Sequence, residues 1–201
     1  MSLSSRMIIV LTTVGLISGG FLAGVAKLTK ERIALNIQAE IEAAIEEVVD
    51  DAAISNVVYE EEDLVIYREL EDDGDLAGFA IQATGVGFQD KITLMFGLDE
   101  TLTKITGLII IDQKETPGLG AKITEWEAFL QFWEEREATG SLSLRKPPVR
   151  THEELLSTEI NSITAATISS KKVLEIVNLS LETVRELITK GTITGEERDG
   201  N

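Results

Sequence analysis

A run of small hydroxyl and methyl side chains, N-S-I-T-A-A-T-I-S-S at residues 161–170, lies directly before a segment with helical spacing. From Lys171 to Lys190 apolar residues recur every three or four positions, and a glycine follows as a stop signal. These apolar residues are Val173, Ile176, Val177, Leu181, Val184, Leu187 and Ile188. A helix N-terminus offers free backbone N–H groups and the positive end of the helix dipole, so the pattern predicts a phosphate site. The alternative is that Thr164, Thr167 or Ser169 simply caps the helix.

The same ten residues resemble the flavinylation motif of the FMN-binding domain. This domain is found in the G subunit of the Rnf electron-transport complex and in the C subunit of the sodium-pumping NADH:quinone reductase. The family pattern is Asp-x-x-(Ser/Thr)-Gly-Ala-Thr, and its last threonine carries FMN through a phosphoester bond. The resemblance places Thr164, Ala166 and Thr167 at the matching positions. Two positions differ, since Asn161 stands where the family usually has Asp and Ala165 where it usually has Gly. Alanine adopts a left-handed backbone at modest cost, but its methyl group narrows the approach of a phosphate.

A second match supports the first. The segment E-T-P-G-L-G-A-K-I, from Glu115 to Ile123, is similar to the corresponding segment of the same family without a departure. Upstream, residues 85–88 and 94–99 resemble its glycine turn and the strand that follows. The likeness extends from about Ala77 to Ile188 with the expected order and spacing, so the combination is much more specific than the T-A-A-T tetrapeptide alone.

The resemblance implies roles for the residues of the hydroxyl-rich stretch. Thr167 is the expected attachment point of FMN, and the backbone N–H groups of Ile168, Ser169 and Ser170 are expected to hold the phosphate oxygens. Thr164 and Ser169 are expected to add hydroxyl hydrogen bonds. A separate flavin transferase that uses FAD forms the bond in this family, so no catalytic residue is expected in this chain.

The proline- and glycine-containing turn is expected to contact the rest of the cofactor. Glycine lets a planar ring lie against the main chain, which suits an isoalloxazine. We expect Glu115 and Thr116 to hydrogen-bond the ribityl chain or the ring edge, and Lys122 to favour the anionic reduced flavin. The remaining residues expected at the cofactor are Gly118, Leu119, Gly120, Ala165 and Ala166.

Composition excludes several other classes of function. The 201 residues contain no cysteine, which excludes a disulfide, a thiolate zinc site and a cysteine-ligated iron–sulfur cluster. A net charge of −17 argues against nucleic acid as a partner. The acidic turn at residues 71–75 lacks the spacing of an EF-hand, so no metal site is expected there. His152 is the only histidine and is interpreted as a surface residue.

The N-terminal region predicts a membrane anchor. Met7 to Ala26 is free of charge and long enough to span a bilayer as a helix, although a signal peptide is the rival interpretation. Lys27, Lys30 and Arg32 follow it, so the positive-inside rule locally favours a cytoplasmic domain. The resemblance implies the opposite, and we expect a single-pass protein of the cytoplasmic membrane with its FMN domain on the extracytoplasmic side.

Periodicity predicts the remaining architecture. Residues 1–26 form the anchor, residues 27–52 an amphipathic connecting helix, residues 53–191 the FMN-binding domain and residues 192–201 a flexible tail. Five strands are predicted at 57–59, 64–69, 76–83, 91–96 and 104–112, with a helix at 123–135 whose aromatic residues lie in the core. The expected fold class is α+β, with a twisted, mostly antiparallel sheet covered by helices.

These predictions combine into one functional hypothesis and two alternatives. The resemblance implies an electron-relay subunit of a ferredoxin/NAD oxidoreductase complex that drives ion translocation, with the other subunits of that complex as partners. The first alternative is a C-type subunit of the sodium-pumping NADH:quinone reductase, which is usually longer. The second is an anchored binding or scaffolding module without a flavin, which the departures at Asn161 and Ala165 keep open.

Overall fold

The N-terminal region forms one continuous helix in the computed structural model, which describes residues 2–195. Helix α1 (Leu3–Val48) joins the predicted anchor and the predicted connecting helix without a break. The chain divides into two compact units, the first ending at Glu42 and the second beginning at Ala43. The most apolar window of α1 has a mean hydropathy of 2.1, and none of that window is buried. By length and composition α1 is therefore suited to cross a membrane.

A six-stranded antiparallel sheet forms the centre of the second unit, with the strands neighbouring one another in chain order. The strands are β1 (Ile54–Glu61), β2 (Leu64–Leu70), β3 (Leu76–Val86), β4 (Lys91–Leu98), β5 (Lys104–Asp112) and β6 (Arg136–Glu137). A separate parallel pair consists of β7 (Ser143–Arg145) and β8 (Glu159–Asn161). The five predicted strands are all present, and the predicted α+β fold with a mostly antiparallel sheet is confirmed.

Helix α2 (Thr167–Thr189) packs against the sheet, with its main strand contact on β3. Six of the seven apolar residues that predicted the helix are buried, and Ile188 is partly buried. Gly85 of β3 has no side chain, and a Cβ there would lie 2.4 Å from Cγ1 of Ile176. Helix and strand therefore approach more closely than any larger residue at position 85 would allow. The helix also begins four residues earlier than predicted, so the second half of the hydroxyl-rich stretch is its first turn.

The end of α1 packs on β4 and β5, where its Val48 approaches Gly97 and Gly107. Ala44, Ile45 and Val48 of the helix are buried, as is Val49 directly after it. Gly97 and Gly107 are cross-strand partners, and α1 ends over them. A Cβ at Gly97 would lie 2.0 Å from the carbonyl oxygen of Val48. The hydroxyl of Thr106 donates a hydrogen bond to that same oxygen.

The predicted helix at 123–135 is wrong. The chain instead forms two short 3-10 helices, Gly120–Thr124 and Leu130–Trp133, separated by an extended residue at Glu125 and a turn. β-branched and aromatic residues are weak helix formers. The chain therefore gives up a continuous helix here and buries Ile123 and Trp133 in two separate short helices. Phe129, Leu130 and Trp133 of this segment lie in the core as predicted, whereas Trp126 is half exposed.

Two smaller predictions also need correction. His152 is half-buried rather than on the surface, because its Nε2 contacts the guanidinium of the buried Arg136 and lies 2.9 Å from the carbonyl oxygen of Glu134. In the predicted flexible tail, Ile193 is buried against the core, so ordered structure continues beyond Gly191. Residues 196–201 of that tail lie outside the described part of the chain.

Candidate functional site

Three segments that are distant in sequence meet at the N-terminus of α2. They are the loop between β3 and β4, the turn that follows β5, and the hydroxyl-rich stretch. Together they enclose an open groove of about 280 Å³. Its lining residues are Phe88, Glu115, Thr116, Leu119, Gly120, Ala165, Ala166, Thr167, Ile168 and Ser169. The structure thus brings together the two motifs that the sequence analysis identified far apart in the chain.

The first turn of α2 is open towards a ligand. Its N-cap residue is Ala166, and no side chain caps the helix. Within residues 2–195, the backbone N–H groups of Thr167, Ile168 and Ser169 donate to no protein acceptor. The Thr167 hydroxyl, half-buried at the edge of the groove, also has no hydrogen bond among the described residues. The alternative prediction, that a hydroxyl of this stretch caps the helix, therefore does not describe the structure.

Not every polar group of the stretch is available to a phosphate. Ser170 uses its N–H and its hydroxyl to reach the carbonyl oxygen of Ala166, and the hydroxyl also accepts a hydrogen bond from the Ile163 N–H. Ser169 donates its hydroxyl to Glu115 at 2.8 Å. The three free N–H groups are consequently those of residues 167–169, one residue earlier than the set expected from the resemblance.

Glu115 is buried, with 4% of its surface exposed, and its carboxylate accepts three hydrogen bonds. Oε1 accepts from the backbone N–H groups of Phe88 and Gln89, and Oε2 accepts from the hydroxyl of Ser169. Thr116 lies on the groove, where its hydroxyl accepts a hydrogen bond from the Gln89 side chain at 2.6 Å. Both residues are thus at the predicted site, although Glu115 is already engaged with protein donors.

The turn after Glu115 needs glycine at two positions. Gly118 has a φ of +74°, a backbone that other residues rarely adopt. A Cβ at Gly120 would lie 2.6 Å from both Oε2 of Glu115 and Oγ of Ser169. Lys122 is half-buried just beyond the groove and is not among its lining residues.

The two residues that depart from the family pattern, Ala165 and Asn161, each have a distinct conformation or set of contacts in the structure. Ala165 has a φ of +66°, so an alanine here occupies the left-handed backbone that glycine adopts without cost. Asn161 is buried and pairs with the backbone of Val149, accepting from its N–H at 2.9 Å and donating to its oxygen at 3.0 Å. An aspartate would retain only the accepting half of this pair, because an ionised carboxylate has no donor.

One carboxylate near the groove has a perturbed acidity. The backbone N–H of Lys91 and the side chain of Lys114 lower the pKa of the exposed Asp90. Asp90 also accepts the Gly87 N–H through its carbonyl oxygen. These contacts order the β3–β4 loop that carries Phe88.

Phe88 is the groove residue that sequence reasoning missed. It stands in the glycine turn that contributed to the resemblance, yet it was not assigned to the site. Phe88 is 60% exposed and lines the groove, and an aromatic residue beside glycines was the signal that the sequence offered. Conversely, Thr164, Gly118, Lys122 and Ser170 were assigned to the site and do not line the groove.

The sequence of the segments that form the groove matches a known class of domain. Residues 87–182 match the sequence profile of the FMN-binding domain, which covers the loop with Phe88, the turn after β5 and the first turns of α2. This part of the chain carries an FMN-binding domain, and the resemblance noted from the sequence is confirmed.

Relatives with curated names are G subunits of ion-translocating oxidoreductase complexes. The chain is 25% identical over 187 residues to the G subunit of the ion-translocating oxidoreductase complex of Methanosarcina acetivorans, covering 90% of this chain and 94% of that protein. It is 30% identical to the G subunit of the Na⁺-translocating ferredoxin:NAD⁺ oxidoreductase complex of Acetobacterium woodii, over 57% of this chain and 52% of that protein. The second match thus spans about half of its relative.

A solved structure supports the fold. The crystal structure of the C subunit of the Na⁺-translocating NADH-quinone reductase from Parabacteroides distasonis superposes with a TM-score of 0.54. The match covers 75% of this chain and 83% of that one at 22% identity, so it establishes the likeness of fold alone.

The residues present fit an FMN phosphate. An uncapped helix N-terminus with three free N–H groups is a ready-made anion site, and a glycine at position 120 allows the Glu115 turn to approach it closely. The groove has apolar walls from Phe88, Leu119 and Ile168, as a flavin ring requires.

Proposed function

We propose that this chain is the membrane-anchored FMN subunit of an ion-translocating oxidoreductase complex, in which it relays electrons between other redox carriers. The observation that carries the proposal is the first turn of α2, where the Thr167 hydroxyl and three backbone N–H groups have no partner among the described residues. A helix start of this kind favours the binding of a phosphate. The names of the relatives supply the kind of complex.

The covalent link to Thr167 is part of this proposal. The Thr167 oxygen would bond to the phosphorus of the FMN half of FAD, the pyrophosphate bond would break, AMP would leave, and the hydroxyl proton would pass to solvent. The N–H groups of Thr167, Ile168 and Ser169 would hold the phosphate oxygens during and after this transfer. The Glu115 carboxylate on the groove already accepts three hydrogen bonds from the protein, so the proposal assigns catalysis of the transfer to a separate flavin transferase.

Bound FMN would supply a carrier that accepts two electrons and releases them one at a time. The chain's own contribution is orientation. The apolar side chains of Phe88 and Leu119 would exclude water from one part of the ring, and the Gly118 turn would bring the main chain close to it. Lys122, half-buried two residues after the groove residue Gly120, would favour a negative charge on the reduced ring.

The first experiment tests the link directly. Membranes containing the chain and its transferase are separated on a denaturing gel and viewed under ultraviolet light, with Thr167→Val as the matched variant. We expect a fluorescent band for the wild type and none for the variant, because valine retains the shape and lacks the hydroxyl. A dark wild-type band, beside a control substrate that the same transferase labels, would contradict covalent attachment. Binding of free FMN would then distinguish a non-covalent flavoprotein from a module without flavin.

The second experiment tests the proposed topology, with α1 as anchor and the FMN domain on the extracytoplasmic side. The chain has no cysteine, so single cysteines introduced at exposed positions are clean reporters. We expect Glu127→Cys to react with a membrane-impermeant maleimide in intact cells and Ser4→Cys to react only after permeabilisation. The reverse pattern would place the domain in the cytoplasm, as the positive-inside rule locally favours.

A further inference from the structure

The buried carboxylate of Glu115 holds the three walls of the groove together. We propose that Glu115 is a positioning residue that fixes the first turn of α2, so that the Thr167 hydroxyl faces the flavin donor and the neighbouring hydroxyl of Ser169 does not. This inference rests on the proposed function and assigns Glu115 a role other than direct contact with the ribityl chain or ring.

The hydrogen bonds of Glu115 connect the turn after β5 with both other walls of the groove. Oε1 lies 2.6 Å from the Phe88 nitrogen and 3.2 Å from the Gln89 nitrogen, both in the β3–β4 loop. Oε2 lies 2.8 Å from Oγ of Ser169, in the first turn of α2. All three donors point at one carboxylate, and hydrogen bonds to an ionised acceptor are about twice as strong as neutral ones.

Two glycines make room for this carboxylate. A Cβ at Gly87 would lie 2.6 Å from Oε1, and a Cβ at Gly120 would lie 2.6 Å from Oε2. A Cβ atom does not approach a non-bonded oxygen that closely, so a side chain at either position would displace the carboxylate. Gly87 and Gly120 therefore leave the space that this carboxylate occupies.

The contact with Ser169 also decides which hydroxyl is free. Within the described residues, Ser169 and Ser170 both donate their hydroxyls to protein acceptors, whereas Thr167 and Thr164 do not. Thr164 is exposed and outside the groove, so Thr167 alone combines a free hydroxyl with a position on its wall. Glu115 accordingly contributes to the choice of attachment site by engaging the nearest competing hydroxyl.

The test measures the initial rate of flavinylation of the full-length chain in membranes, with purified transferase and FAD. We expect Glu115→Ala to slow labelling by about 100-fold, as happens when a reacting group is displaced by about 1 Å. Glu115→Gln retains an acceptor for the two N–H groups and an amide N–H that can donate to Ser169, so it should restore most of the rate. Ser169→Ala, which removes only the helix contact, should fall between Glu115→Ala and the wild type.

The matched control is Ser180→Ala. Ser180 is a buried serine on the same helix whose hydroxyl donates to the Ile176 carbonyl oxygen, away from the groove, so its loss should leave the rate unchanged. Thermal unfolding of each variant separates slow labelling of a folded chain from loss of the fold, and Ser169→Ala keeps the test decisive where Glu115→Ala does not fold.

Two outcomes would overturn the inference. One is labelling of Glu115→Ala at the wild-type rate. The other is a Glu115→Gln variant as slow as Glu115→Ala while Ser169→Ala labels normally, which would assign the effect to the charge of the carboxylate. A wild-type chain that is never labelled would instead contradict the proposed function itself, so the two failures are distinguishable.

Discussion

The end of α1 and the beginning of α2 both meet glycine-containing backbone, yet they are completed in opposite ways. At the end of α1, the Val48 carbonyl accepts the Thr106 hydroxyl, and Val48 is buried over Gly97. At the beginning of α2, no side chain caps the helix, and three N–H groups are left free of protein partners among residues 2–195. The last carbonyl of α1 is thus bonded within the protein, whereas the first N–H groups of α2 are left for a ligand.

This difference separates positions that maintain the fold from positions that serve the cofactor. Substitutions at the end of α1 should change stability, because they disturb completed contacts in the core. Substitution of Thr167, at the beginning of α2, should change flavin attachment at little cost in stability, because its hydroxyl has no hydrogen bond to lose among the described residues.

The largest expected effect is that of Gly97→Ala. The added Cβ would lie 2.0 Å from the Val48 oxygen and 2.1 Å from Oγ1 of Thr106, and a backbone oxygen cannot rotate away. We expect a loss of about 3 kcal/mol in the free energy of unfolding, typical of severe overpacking. Urea unfolding of the detergent-solubilised chain, followed by the fluorescence of the buried Trp133, measures this loss.

Gly107→Ala is the matched control for Gly97→Ala. Gly107 is the cross-strand partner of Gly97, but a Cβ there meets nothing nearer than 3.6 Å. Its free energy of unfolding should stay within about 0.5 kcal/mol of the wild type. Equal losses at the two glycines would show that strand propensity, and not the approach of α1, requires glycine here.

A smaller effect is expected when the two helix ends are compared through the same substitution. Thr106→Val removes the hydrogen bond to Val48 and should cost about 1 kcal/mol, since a buried carbonyl loses its partner. Thr167→Val removes a hydroxyl that has no hydrogen bond in the described structure, so it should cost no more than about 0.5 kcal/mol. The same unfolding experiment on unflavinylated protein measures both, and a larger loss for Thr167→Val would contradict the contrast between the two ends.

The sequence predicted the parts of this contrast that depend on local pattern. The apolar stripe of α2, the hydroxyl-rich stretch before it and the glycine turn after Glu115 were all readable, because each is contained in a few consecutive residues. The partners of Glu115 were not, since Phe88 and Ser169 lie 27 and 54 residues away in the chain. The role of Gly97 likewise depends on where α1 ends, and the break at Glu125 depends on which aromatic side chains the core accepts.

Ala165→Gly should have a modest effect in the opposite direction. Relief of the left-handed backbone gains about 1–2 kcal/mol, and the more flexible unfolded chain offsets about 0.4–1 kcal/mol of it. We therefore expect a net stabilisation of about 0.5 kcal/mol, together with faster flavinylation, because a methyl group is removed from the groove wall. Ala121→Gly, at a residue of the neighbouring 3-10 helix without a positive φ, should instead destabilise the chain. Slower labelling of Ala165→Gly would contradict the steric argument.

The smallest expected effect is on the pH dependence of the free energy of unfolding, and it involves Glu69 near the end of α1. Glu69 pairs across the sheet with Gly78, beside Val49, and burial raises its pKa while the Ser55 hydroxyl partly offsets this. A raised pKa means that the folded protein holds this proton more tightly than the unfolded chain does. The cost of ionising Glu69 is therefore absent below its ordinary pKa of 4.5 and grows as the pH rises through the raised value. Glu69→Gln should gain stability over the wild type across that pH window, whereas the exposed Glu62→Gln should not. Identical pH profiles of stability for Glu69→Gln and the wild type would show that water reaches Glu69 near the end of α1 and solvates its charge. That result would weaken the contrast between the packed end of α1 and the open start of α2.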